Sequence, residues 1–131
     1  MKIVIATDDG RTVSMHFGRA AKYAVLTVEY GVIVARELRE KLSPHAAGQV
    51  HHEEEPDFAH GTGPVASDRH DQMAAAIADC ALVLAGGMGR PMYESLIAHG
   101  IRPIVTDVRD ADTGAIEAAA GRLMNRAEKL H

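Results

Sequence analysis

Three short apolar runs, each stopped by glycine or an acid, constrain the fold of this chain more than any other feature. Residues 2–7 read KIVIAT and end at Asp8, Asp9 and Gly10. Residues 81–85 read ALVLA and end at Gly86 and Gly87, and residues 101–106 read IRPIVT and end at Asp107. A strand with one wet face alternates polar and apolar side chains. A continuous apolar run instead predicts burial on both faces, as in the centre of a sheet covered by helices on two sides. Helical patterns separate the later runs. RHDQMAAAIADC at 69–80, capped by Ser67 or Asp68, puts Met73, Ala74, Ile77 and Cys80 on one side. PMYESLIAHG at 91–100 is opened by Pro91 and closed by Gly100. A last helix, capped by Asp112 or Thr113, would bury Ile116, Ala119, Ala120, Leu123 and Met124.

Strands alternating with helices predict parallel pairing through right-handed crossovers. YAVLTVEY at 23–30 and VIVARE at 32–37 flank Gly31 and predict a hairpin. The second arm ends in charges, which suits an edge. The expected architecture is α/β: one domain over residues 1–131, with a three-layer mixed sheet of about five strands and helices on both faces. At 131 residues and 47% hydrophobic content the chain can build one core without staples, and with no Trp that core is aliphatic.

Residues 43–67 break the pattern. Prolines and glycines punctuate them, and they lack the apolar side chains needed to offset the entropy of ordering. They are expected to form a flexible loop that starts at the end of the sheet opposite the carboxyl ends of the parallel strands and folds back. Five of the eight histidines fall in or just after this stretch: His45, His51, His52, His60 and His70, among Glu53, Glu54, Glu55 and Asp57. Imidazole and carboxylate are metal ligands and proton carriers. His51 and His52 are adjacent and point to opposite faces of an extended chain, so they cannot share one ion without a turn. The alternative is a solvated connection.

Ligands of open α/β sheets bind beyond the carboxyl ends of the parallel strands. There the loop after Thr7 brings Asp8, Asp9, His16, Phe17, Gly18 and Arg19. The loop after Ala85 brings Gly86, Gly87, Met88, Gly89 and Arg90. Glycines followed by a helix start can offer backbone N–H groups to an anion, with Arg90 as a second donor. The alternative is a tight turn that needs glycine for geometry alone. The stretch fits neither GxGxxG nor GxxxxGK[ST]. The single cysteine, Cys80, reads as a small core residue.

The net charge is −4, with no basic stripe, which argues against nucleic acid and against an anionic membrane surface. Only four apolar residues, Ile3, Val4, Ile5 and Ala6, follow Lys2 before Thr7. That is too short for a signal-peptide core, so the expected compartment is the cytoplasm.

VSMHFGRA at 13–20 and DCALVLAGGMGRPMYESLIAHGIRPIVT at 79–106, with the hairpin and the His-rich insert between them, make a wider pattern. It resembles the dinitrogenase iron–molybdenum cofactor biosynthesis family, which includes NifX, NafY and the C-terminal part of NifB. The resemblance implies a ribonuclease-H-like fold without nuclease activity. It implies non-enzymatic binding or carriage of a metal–sulfur cluster, such as the iron–molybdenum cofactor or a precursor, and partners that donate or accept that cluster. The positions carried over are His16, Phe17, Gly18 and Arg19 with Gly86, Gly87, Met88, Gly89 and Arg90. His16, His45, His51, His52, His60 and His70 are the candidate metal ligands, the insert acting as an accessory lid. Two rivals use the same residues. One is a small α/β enzyme acting on an anionic metabolite, with Asp8 or His16 as acid–base. The other is a protein-interaction module with a His-rich surface.

Overall fold

In the computed structural model, which describes residues 1–41 and 63–131, the three apolar runs lie side by side. β1 (Lys2–Thr7) pairs in parallel with β4 (Leu82–Ala85), and β4 with β5 (Arg102–Val105). β2 (Lys22–Glu29) and β3 (Val32–Glu40) form the hairpin, and β2 pairs antiparallel with β1. The strand order is β3-β2-β1-β4-β5, a mixed five-stranded sheet with the charged strand β3 at one edge.

Alternation along the strands sends side chains to two separate cores. Val4, Ala6, Val83, Ala85 and Val105 face α1 (Gly63–Ala75) and α2 (Arg90–Ala98), meeting Met73, Ala74, Met92 and Leu96. Ile3, Ile5, Leu82, Leu84 and Ile104 face α3 (Ala111–Ala119), meeting Ala111, Ala115 and Ala118. Helices therefore cover both faces, and burial of each large aliphatic side chain contributes roughly 1.5–3 kcal/mol. Cys80 is buried in the first core, as expected.

Several expectations are corrected. α1 begins at Gly63, so residues 63–67 belong to the helix and not to the His-rich loop, and Ser67 and Asp68 lie inside it. α1 also stops at Ala75, and Cys80 follows a turn. Asp110 caps α3, its carboxylate accepting the Thr113 N–H at 2.9 Å. The buried face of α3 is the small-residue one, Ala111, Gly114, Ala115 and Ala118; of the expected residues Ala119 and Leu123 pack partly against the same core, while Ala120 and Met124 are exposed. Small side chains let the helix lie close to the sheet, and the larger Ile116 is left half-buried.

The His-rich segment also leaves the sheet from the other end than expected. Thr7 pairs with Lys22, and Lys22 pairs with Glu40. Two successive antiparallel reversals restore the direction of β1, so β3 ends at the carboxyl rim, and Lys41 stands there.

Candidate functional site

The rim loops are knitted together by their backbones. The Ser14 N–H donates to the Ala6 carbonyl and the Gly86 N–H to the Ser14 carbonyl, both at 2.7 Å. The Phe17 N–H donates to the Gly87 carbonyl at 2.9 Å. On the other side, the Val13 N–H donates to the Arg109 carbonyl at 2.7 Å and the Ala111 N–H to the Arg11 carbonyl at 2.8 Å. The loop after β1 is thus wedged between the loops after β4 and β5. His16 and the Gly86 turn, far apart in sequence, are brought together.

Glycine at 86 and 87 is required by this wedge. A Cβ on Gly86 would lie 2.9 Å from the Met15 Cα, and one on Gly87 would lie 2.7 Å from the Met15 carbonyl oxygen. Both obstacles are backbone. The amides of this turn are largely spent on the chain itself. Besides Gly86, the Met88 N–H donates to the Lys129 carbonyl and the Arg90 N–H to the His131 carbonyl. Gly86, Gly87 and Met88 are buried, Gly89 is half-buried, and Arg90 is exposed. The turn backs the His16 loop and contributes close packing.

In front of that loop lies a cleft of about 390 Å³, lined by Asp8, Asp9, Met15, His16, Arg19 and Arg109 among others. His16 and Arg19 are exposed on either side of a short 3-10 turn, Phe17–Arg19, whose Phe17 ring is buried as the anchor. The Ser14 hydroxyl binds the His16 carbonyl at 3.0 Å, which fixes the backbone that carries the imidazole. The Arg109 guanidinium meets the Met15 thioether. Asp9 is a structural carboxylate: it accepts the N–H groups of Arg11 and Thr12 at 2.8 Å and the hydroxyls of Thr7 and Thr12. The two backbone bonds hold its carboxyl well below the usual range. Asp8 accepts the Ala21 N–H at 2.8 Å.

Lys41 is buried behind the 3-10 turn. Its ammonium lies 4.8 Å from the centre of the Phe17 ring and 3.5 Å from the Gly18 carbonyl. Burial pulls it down from near 10.5 to about 8, with Asp8 opposing.

Of the candidate ligands, His16 stands in the cleft. His70 lies half-buried on α1, where burial lowers its basicity, and is not a lining residue. His45, His51, His52 and His60 lie outside the described residues. Among the described residues no group of three or more His, Cys, Asp or Glu side chains is placed to hold a metal ion. Among them, too, no helix is long and apolar enough to cross a membrane. Sequence reasoning missed Arg109, Lys41 and His131. Arg109 was within reach, because it follows β5 into the same rim.

The fold recurs in solved structures. The protein PH0822 superposes with a TM-score of 0.62 at 24% identity, 96% of each chain being covered. The apo form of the orange protein from Desulfovibrio gigas superposes with a TM-score of 0.65 at 17% identity, over 96% of this chain and 92% of that one. Comparison with curated proteins gives no match. The profile of the family described as dinitrogenase iron-molybdenum cofactor matches residues 1–125. With nearly its whole length inside that match, the chain belongs to the dinitrogenase iron–molybdenum cofactor family.

Proposed function

We propose that this chain binds a metal–sulfur cluster as cargo and passes it on without transforming it. The iron–molybdenum cofactor or a precursor is the class of cargo, and proteins that donate and accept it are the partners. The reading rests on one observation: the exposed His16 imidazole shares a cleft with the Arg19 and Arg109 guanidinium groups. A sulfide cluster is polyanionic, and charge-assisted N–H donors suit its surface. An imidazole is a borderline ligand that can take a metal and let it go. Asp8 and Asp9 share the cleft, but both are engaged with backbone N–H groups, which blunts their repulsion of an anion.

Phe17 and Gly18 carry the turn that sets His16 and Arg19. Gly86, Gly87, Met88 and Gly89 form the floor behind it, and Arg90 is a further exposed cation near that floor. The segment that bears His45, His51, His52 and His60 departs from Lys41, at the same rim. A lid role for those histidines fits this point of departure.

Anaerobic reconstitution with iron, molybdate or copper plus sulfide tests the proposal. The expected product is a coloured complex of fixed stoichiometry, weakened by His16→Ala. A protein that stays colourless and retains no metal above background contradicts it. Turnover of a phosphorylated or carboxylated metabolite, abolished by Asp8→Asn, would favour the enzyme reading instead.

A further inference from the structure

The His16 and His131 rings lie near each other at the rim, their centroids 6.5 Å apart and their planes 34° from parallel. Both residues are exposed. Neither is left to chance by the backbone. His16 follows the Met15 backbone that presses on Gly86 and Gly87. His131 is delivered by a strap that crosses the edge of β5. Asn125 accepts the Val105 N–H at 2.8 Å and donates to the Pro103 carbonyl at 3.1 Å. The Arg126 N–H then donates to the Val105 carbonyl, and Lys129 pairs with Asp107 at 2.9 Å. Finally the His131 N–H donates to the Met88 carbonyl at 2.9 Å, and the Arg90 N–H to the His131 carbonyl at 3.0 Å. Gly87 has no side chain to fend the ring off: a Cβ there would stand 3.4 Å from the His131 Nε2.

We infer that His16 and His131 form a two-imidazole site for one divalent ion of the zinc, copper or nickel class. The dimensions put it within reach of a rotamer change. With a metal–nitrogen bond of about 2.0–2.1 Å, each ring centroid lies roughly 3.2 Å from the ion, so two rings on one ion have centroids about 5.2 Å apart at a tetrahedral angle and at most about 6.4 Å apart when the nitrogens are opposite. The observed 6.5 Å lies just beyond that span, and both side chains are exposed and can change rotamer to close the gap. Imidazole nitrogen suits these ions as a donor. Two protein ligands leave coordination positions open for a third donor, such as a sulfide of the cargo. The inference rests on reading His16 as a ligand, and it adds a second protein ligand from the far end of the described chain.

A bare ion separates it from the carrier reading. A protein bearing His45→Gln, His51→Gln, His52→Gln, His60→Gln and His70→Gln keeps His16, His99 and His131. Zinc(II) titration of that protein is followed through the imidazole ¹H–¹⁵N resonances. The expected result is saturation at one ion per chain, with His16 and His131 shifting together and His99 unmoved. Adding His16→Gln or His131→Gln is expected to weaken binding on the order of tenfold or more. Absence of zinc binding, a His16 shift without a His131 shift, or undiminished affinity after His131→Gln would overturn the site. If the last of these variants still takes up tetrathiomolybdate as the wild type does, only the two-imidazole site falls and the carrier reading stands.

Discussion

The ammonium of Lys41 lies 4.8 Å from the centre of the Phe17 ring, with the Gly18 carbonyl as its oxygen partner. The last residue described before the His-rich segment therefore braces the turn that carries His16 and Arg19. Such a brace has a cost, because a charge is held out of water.

Lys41→Met is expected to stabilise the protein at pH 7 by about 1–3 kcal/mol. The folded state holds this proton less tightly than the unfolded chain, with the folded value at about 8 against 10.5. Between those values the unfolded chain binds more protons, so stability rises with pH across that window, and below it the cost is present in full. Urea denaturation at pH 7 and pH 10 should show the advantage of the variant shrinking at the higher pH. An equal difference at both would contradict the account.

Asp9→Ala should lower the melting temperature at neutral pH. The native carboxylate is held below its ordinary value of 3.8 by the N–H groups of Arg11 and Thr12. Its contribution is present above that ordinary value and is lost as pH falls through the lower folded one. Melting curves from pH 7 to pH 2.5 should therefore fall more steeply for the wild type than for the variant at the acid end.

Gly87→Ala drives a Cβ into the Met15 carbonyl and should destabilise by about 1–3 kcal/mol while loosening the His16 loop. Gly89→Ala is the control, because its Cβ would meet only the Pro91 ring, at 3.8 Å. Cluster uptake should fall in the first variant and persist in the second.

Tyr30 occupies a left-handed backbone conformation, φ 51°, beside Gly31 at φ 81° in the two-residue hairpin turn, and its side chain is fully exposed. A turn with two positive φ values favours Asn or Gly at its first position. Tyr30→Asn should raise stability by about 0.5–1 kcal/mol, read as a higher melting temperature.

The sheet was legible because strands covered by helices on both faces must be apolar on both: the runs at 2–7, 81–85 and 101–106 mark β1, β4 and β5 within a residue or so. Three features were not legible, for physical reasons. The start of α1 escaped because its first turn is glycine, proline and small residues, which carry no hydrophobic period. The rim from which the His-rich segment departs depends on counting strand reversals, which periodicity does not encode. His131 escaped because its position is set by Asn125 and by backbone bonds to Val105 and Met88, contacts that only the folded chain reveals. In the glycine turn, one pattern served two readings. The structure displays the close approach to Met15 and spends the amides of Gly86, Met88 and Arg90 internally.

The central claim is that the cargo sits at the rim beside His16. Backbone amide shift mapping with tetrathiomolybdate, a diamagnetic sulfide dianion, addresses it directly. The account predicts the largest changes at Met15, His16, Arg19 and Arg109, with smaller ones at the 86–90 turn. Changes confined to α1 and residues 42–62, with the His16 loop unmoved, would contradict it.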